Sequence, residues 1–310
     1  MWHEDDDIAI ISIKTKLHAI DEAVLDGLIE AIQRAEQDYT GLILWSPEPH
    51  FCAGANIKQL LDFARQDQFD SADRMIEGFQ AASMMLKHSQ IPTIAAVNGL
   101  ALGGGCEFQM HCDITIAALE SQIGLVESGI GLLPAGGGCK EISLQANALS
   151  GGGDLLPYLE TVFKHIVFGD MSSSAGNAVQ MRLLNQQDIV ISNPLESLYV
   201  AKQHVKRLAE SAYRPPLQSL PVRVAGRPGM DKLEQTYESL CKDKEITEHD
   251  REIARRIANT LTGGDTDADT LITQGDLLNL ERKHFVELLG YEKTQARIEH
   301  MLNTGKRLQN

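Results

Sequence analysis

The sequence predicts an α/β core followed by a largely helical C-terminal half. Three observations carry that prediction. Short β-rich runs alternate with amphipathic stretches between residues 8 and 118, and glycine-rich turns lie between and after the last of them. Beyond about residue 145 the strand signal fades and helical periodicity takes over. Strands alternating with helical stretches of roughly 10–20 residues indicate βα units and a largely parallel sheet.

Residues 8–13 form the first β-rich run. After the His18-Ala-Ile turn, Asp21 stands where an N-cap is needed to accept from unpaired first-turn amides. Val24, Leu25, Leu28, Ile29, Ile32 and Ala35 then follow at helical spacing up to about Asp38. Leu42 to Trp45 is a second strand, closed by Pro47 and Pro49. One helix starts near Ile57, and another covers about Ser71 to His88 with Met75, Ile76, Phe79, Ala82 and Leu86 on one face. Thr93–Val97 and Ile114–Ala118 are the next strands. Residues 155–167, 174–184 and 194–212 read as helices. Arg214 to Gly229, with four prolines, reads as a connector, and 231–262 and 276–303 are charged, amphipathic and helical. The expected division is a core over 1–213, carrying an insertion near 147–167 around Gly151-Gly-Gly153, and a helical extension over 214–310.

Composition narrows the function classes. A formal charge of -15, from 28 basic and 43 acidic side chains, repels phosphate backbones and argues against nucleic-acid binding. An anionic ligand must then be held by a few lysines or by helix N-terminal amides. A hydrophobic share of 43% and a charged share of 23% are those of a soluble globular protein. Cys52, Cys106, Cys112, Cys139 and Cys241 form no C-x-x-C pair and read as reduced thiols, which points to the cytoplasm. The ten histidines include no H-x-x-x-H pair, so no metal is expected. The start lacks the basic region of a signal peptide, and Ile91 to Cys106 is too short and glycine-rich to span a membrane. The first strand begins almost at the N-terminus, as in a domain excised from a longer polypeptide.

Three segments carry chemistry: His50-Phe-Cys-Ala-Gly-Ala-Asn-Ile-Lys58, Asn98-Gly-Leu-Ala-Leu-Gly-Gly-Gly-Cys-Glu107, and Ile123-Gly-Leu-Val-Glu-Ser-Gly-Ile-Gly-Leu-Leu-Pro-Ala-Gly-Gly-Gly138. Glycines after a strand and at a helix start bring backbone close to a ligand or, equally, allow tight turns and close packing. They fit neither a Walker loop nor G-x-G-x-x-G. Glu107 falls in an apolar stretch and Glu127 between Val126 and glycine-rich turns. A buried carboxylate costs several kcal/mol unless paired or protonated. Two in one apolar pocket push their pKa values apart, which creates a general acid and a general base. The bland alternatives are a helix-surface glutamate at Glu107 and a loop salt bridge at Glu127.

Taken together, these segments resemble the crotonase (enoyl-CoA hydratase/isomerase) superfamily in order and spacing over about residues 5–145. The resemblance implies a crotonase-like ββα spiral core with an extended helical C-terminal region. It implies that the backbone amides of Ala55 and Gly104 form an oxyanion hole for a thioester carbonyl, with the dipole of the helix opened by Gly104 adding positive potential. It also implies that Glu107 and Glu127 hold a water, Glu127 delivering the proton to the α-carbon. Ala53, Gly54, Asn56, Ile57, Lys58 and Gly103 are the implied substrate and CoA contacts, although Lys58 reads equally as a surface lysine. Hydration of a trans-2-enoyl-CoA in fatty-acid β-oxidation is the implied reaction, with CoA as part of the substrate and no cofactor. The rivals are Δ3,Δ2-enoyl-CoA isomerisation, which needs one carboxylate, and an idle domain that docks a dehydrogenase.

The C-terminal stretch, with Leu277-Leu-Asn-Leu-Glu-Arg282 and the ending Thr304-Gly-Lys-Arg-Leu-Gln-Asn310, looks like the end of bifunctional 3-hydroxyacyl-CoA dehydrogenase/enoyl-CoA hydratase proteins. That likeness implies a dehydrogenase domain missing from the N-terminal side. Self-association is expected as well. Asn56 departs from the family's usual Asp, which puts local CoA contacts in doubt but not the Ala55 amide. Cys52, Cys106 and Cys112 read as packing residues, and His18 and His111 as structural.

Overall fold

The computed structural model describes residues 1–4, 6–242 and 246–310. In chain order it forms β1 (Ile8–Ile11), α1 (Glu22–Asp38), β2 (Gly41–Trp45), α2 (Ile57–Arg65), α3 (Phe69–Lys87), β3 (Thr93–Val97), β4 (Leu100–Leu102), α4 (Gly104–Met110), β5 (Ile114–Ala118) and β6 (Gln122–Gly124). There follow α5 (Gly138–Leu149), α6 (Leu156–Phe168), α7 (Ala175–Gln180), β7 (Ile189–Ile191), α8 (Ser197–Glu210), β8 (Val222–Arg223), α9 (Gly226–Leu240), α10 (Glu248–Leu261), β9 (Leu271–Ile272), α11 (Gln274–Leu289) and α12 (Glu292–Thr304). The elements expected before residue 120 are all present. Asp21 caps α1 as expected, its side chain accepting from the Val24 amide at 2.9 Å.

The chain folds as two compact units, each assembled from three stretches. The first comprises residues 1–56, 78–124 and 171–218. Its centre is a parallel sheet in the order β1-β2-β3-β5-β7. β1, β3 and β5 are buried at every position, which is why they read as continuous apolar runs rather than alternating ones. Ile8, Ile43, Ile94 and Ile116 pack with Ala201 and Val205 of α8. Gly41 permits that approach, because a Cβ there would lie 2.1 Å from a Val205 methyl. β4 and β6 form a separate parallel pair, with Leu100 opposite Gln122 and Leu102 opposite Gly124.

Three strands of this unit have no clear sequence signal. β4, β6 and β7 are three residues each, too short for periodicity to register. β7 joins the sheet beyond the point where strand patterning fades, pairing Ile116–Ala118 of β5 with Ile189–Ile191.

The second unit comprises residues 57–77, 125–170 and 219–310. It is helical apart from the antiparallel β8–β9 pair. α10 packs on α5, α6, α9 and α11, and α12 packs on α2. α9 starts at Gly226 and β8 lies at Val222–Arg223, so the stretch 214–229 read as a connector already carries a strand and the first turn of a helix; α10 falls within 231–262, and α11 and α12 cover the stretch read as 276–303. Both α10 and α11 start with complete capping boxes, Thr247 with Asp250 and Thr273 with Asp276. The run Gly136-Gly-Gly138 is the start of α5. Gly137 is left-handed there, and the buried Glu281 carboxylate of α11 accepts from the amides of Gly137 (2.8 Å) and Lys140 (2.6 Å).

Candidate active site

In the first unit the two amides singled out above are built by adjacent backbone segments. Ala55 forms a parallel bridge with Ile20. Ile20 N donates to Gly54 O at 2.9 Å and Asn56 N donates to Ile20 O at 2.7 Å. In a parallel bridge the bonded groups are those of the flanking residues, so the Ala55 N–H faces away from Ile20. Gly104 is the first residue of α4, where a helix leaves its N–H groups without intrahelical acceptors. Among the described residues no backbone carbonyl accepts from either N–H.

The two segments run side by side because Cys52 bridges Ala101, with Cys52 N donating to Leu100 O and Leu102 N to Cys52 O, each at 2.9 Å. Gly54 has φ +98, and a Cβ there would lie 2.9 Å from Leu102 O and 3.5 Å from Gly104 N. Only glycine fits that approach. Gly103 also needs its freedom, at φ 52 and ψ -122, with its amide donating to Gly124 O at 2.8 Å. The loop before the bridge is held tightly. Leu17 and His18 sit at positive φ, and Ala53 N donates to Leu17 O at 3.1 Å. The Cys52 thiol donates to His18 O at 3.0 Å, and the His18 ring bonds His50 O at 2.8 Å. These contacts over-determine a backbone that would otherwise relax.

Glu107 lies one turn beyond Gly104 on α4, its N–H bonded to Gly103 O at 2.9 Å, and its side chain is 3% exposed. The helix is set by Phe79 of α3. That ring stacks on Phe108 at 4.8 Å, and a Cβ on Gly104 would lie 2.2 Å from its Cζ. A Cβ on Gly105 would lie 2.7 Å from the Cys52 Cβ. Helical spacing puts Phe79 on the apolar face of α3 without pointing to Gly104, and the Gly104-Gly105 pair signals close packing without naming the partner.

Ala53, Gly54, Ala55, Asn56, Gly103, Gly104 and Glu107 therefore come together in one unit, while Ile57, Lys58 and Glu127 belong to the other. Ile57 opens α2, and the exposed Lys58 pairs with Asp62 at 2.7 Å, one helical turn on. Glu127 is half-buried and begins a 3-10 turn, Glu127–Ile130, that ends in left-handed Gly131.

Cys52, Cys106, Cys139 and Cys241 are buried, and burial pushes the Cys52 thiol up to about 12. His111 bonds Glu107 O at 2.7 Å, closing the end of α4. Among the described residues no group of three or more His, Cys, Asp or Glu is placed to hold a metal ion, and no helix is long and apolar enough to cross a membrane.

The family model described as enoyl-CoA hydratase/isomerase matches residues 4–145. The chain is 35% identical over 305 residues, 98% of its length, to a probable 3-hydroxyacyl-CoA dehydrogenase of Bacillus subtilis, and spans 38% of that relative. It is 35% identical over 143 residues, 45% of its length, to the probable enoyl-CoA hydratase echA8 of Mycobacterium tuberculosis, and spans 53% of it. The chain thus covers well under two thirds of either relative. A solved enoyl-CoA hydratase from Bacillus halodurans superposes with a TM-score of 0.61 at 18% identity, covering 96% of this chain and 97% of that one. The fold is accordingly crotonase-like, and its C-terminal region is helical. Over residues 4–145, a little under half of its length, this chain is similar to the crotonase (enoyl-CoA hydratase/isomerase) superfamily.

Proposed function

We propose that the protein is an enoyl-CoA hydratase that adds water reversibly, in syn fashion, to a trans-2-enoyl-CoA. The observation that carries this reading is the pair of outward amides, Ala55 N–H and Gly104 N–H, on touching backbone segments, with the buried Glu107 one turn along the same helix. Water attacks C3 only if negative charge can gather on the thioester oxygen. Two fixed N–H donors supply that stabilisation, and one such donor is worth roughly 10²–10³ in rate. Glu107 takes a proton from the attacking water as its oxygen bonds to C3. Glu127 delivers the proton that C2 requires, each transfer being worth roughly 10²–10⁴. The hydroxyl ends on C3 and the new hydrogen on C2, so no redox partner enters, and CoA is carried as part of the substrate.

In this reading Ala53, Gly54, Asn56, Ile57 and Gly103 line the acyl-CoA path, and Lys58 exchanges its exposed Asp62 partner for a CoA phosphate. The 3-hydroxyacyl product is the substrate class of a dehydrogenase, and similarity to a much longer protein of that name supports a dehydrogenase as the partner. A cytoplasmic location and self-association belong to the same proposal.

Isomerisation of a 3-enoyl-CoA is the second reading, favoured by the paired name of the matching family. The test supplies a trans-2-enoyl-CoA and, separately, its 3-enoyl isomer. Loss of conjugated thioester absorbance with appearance of 3-hydroxyacyl-CoA supports hydration. Turnover of the 3-enoyl substrate alone, with no hydroxyacyl product, replaces it by isomerisation. Binding of acyl-CoA without either reaction leaves a docking domain.

A further inference from the structure

The turn that carries Glu127 is short, and its own hydrogen bonds do not account for its position. Gly129 N donates to Val126 O, Gly131 N to Ser128 O and Leu132 N to Glu127 O, each at 3.0 Å. A single helical turn is unstable alone, so its position must be imposed from outside. Within the second unit three side chains impose it. Ser128 Oγ donates to Ile166 O at 2.6 Å. Thr294 Oγ1, fully buried on α12, donates to Gly131 O at 3.0 Å and lies 2.8 Å from His249 Nε2. Arg307 donates to Phe168 O at 2.5 Å and also to Gly169 O.

The glycines of the segment record the same contacts. A Cβ on Gly131 would lie 2.8 Å from Thr294 Oγ1 and 3.0 Å from its Cα. On Gly129 it would lie 2.8 Å from Arg307 Nε, and on Gly169 3.0 Å from Ser128 Oγ. Gly131, at φ +87 and against the Thr294 backbone, is therefore required by what grips the turn.

We propose that Thr294, backed by His249 and flanked by Arg307, is a positioning residue that sets Glu127 for proton delivery. The role of Glu127 rests on the hydratase reading; the grip on the turn does not. The Thr294 hydroxyl spends its proton on Gly131 O, so its lone pair accepts from His249, which assigns that ring proton to Nε2. Burial, then the Arg297 charge, lowers the His249 pKa to about 4, so the ring is neutral at neutral pH and keeps that tautomer. The hydrogen-bond chain in which His249 donates to Thr294 and Thr294 donates to the Gly131 carbonyl fixes the end of the turn four residues from the carboxylate. Displacement of a reacting group by about 1 Å costs on the order of 10²-fold in rate.

The test compares the full chain with Thr294→Val, Thr294→Ser and Arg307→Met. Amide hydrogen exchange at Gly129, Gly131 and Leu132 is measured together with kcat and KM for hydration. Thr294→Val is expected to speed exchange at those amides at least ten-fold and to lower kcat ten- to hundred-fold while KM stays within about two-fold. Thr294→Ser, which keeps the hydroxyl, is expected to restore both readouts to within about three-fold of wild type. Arg307→Met, at an exposed position, is expected to loosen the same amides to a smaller degree. Unchanged exchange in Thr294→Val, or in Arg307→Met if the first variant does not fold, overturns the grip on the turn. Faster exchange with kcat kept within two-fold overturns the positioning of Glu127, and equal losses in the valine and serine variants overturn the hydroxyl's part. If wild type hydrates no enoyl thioester, the hydratase reading falls, while the exchange rates still decide whether Thr294 holds the turn.

Discussion

At Gly104 a single hydrogen in place of a methyl decides whether the amide pair can form. A Cβ there would meet the Phe79 ring at 2.2 Å, and Phe79 is itself pinned by Phe108. Overpacking of this kind costs about 1–3 kcal/mol. Gly104→Ala should lose that much in urea unfolding and most of its activity, and Phe79→Leu in the same chain should recover a large part of both; a double variant no better than the single one would place the damage elsewhere. Gly54→Ala faces backbone rather than a side chain, at φ +98 with Leu102 O 2.9 Å away, so no second substitution is expected to rescue it. Residues of this kind were half legible in the sequence. Glycines after strands at Gly54, Gly103 and Gly104 announced close approach, but Phe79, Cys52 and Thr294 lie 25 to 163 residues from the glycines they crowd, and no local pattern names them.

At the scale of elements, the legible parts were those with their own signals. The Asp21 cap, the five apolar residues along α3 and the continuous apolar runs of β3 and β5 each declare a structure locally. β4, β6 and β7 declare nothing, since three residues of strand owe their form to the neighbour they pair with. The start of α5 shows the same dependence, because its cap is Glu281, far along the chain on α11. The side-chain caps make a direct prediction. Thr273→Ala removes the hydroxyl that accepts from Asp276 N at 3.1 Å and should cost about 1 kcal/mol in the second unit by chemical denaturation. A loss of under about 0.3 kcal/mol would mean that packing alone holds α11. The second unit should also be acid-sensitive through His249. Its folded pKa of about 4 lies below the ordinary 6.5, so the folded chain resists a proton that the unfolded chain accepts. Nothing is lost above pH 6.5, and about 1–3 kcal/mol should drain away as pH falls from 6.5 towards 4. Unfolding curves for wild type and His249→Gln across that window check it: the variant should show a shallower slope, and equal slopes would assign the loss to other groups.

At the scale of the whole molecule, charge shapes how the substrate arrives. On the proposed hydratase reading, a chain at -15 meets a CoA thioester that is itself an anion, so encounter is opposed at long range. Raising ionic strength from 10 to 150 mM shortens the screening length from about 30 to about 8 Å, and kcat/KM should rise by about two- to five-fold. A fall instead would show that a local cluster of cations, not the net charge, governs approach. The likeness to the superfamily was legible from three short segments, because backbone chemistry at a strand end leaves a glycine signature that side-chain chemistry does not. The division into two interleaved units was not legible, since each is assembled from stretches separated in sequence.

The measurement that bears most directly on hydration through Glu107, Glu127 and the Ala55–Gly104 amide pair is turnover of a trans-2-enoyl-CoA by wild type, Glu107→Gln and Glu127→Gln, with acyl-CoA binding measured alongside. Acid–base work by both carboxyls predicts that wild type forms 3-hydroxyacyl-CoA and that each glutamine variant binds the thioester normally while losing about two orders of magnitude or more in kcat. Wild type that binds acyl-CoA without turnover, or either glutamine variant retaining full activity, would contradict it.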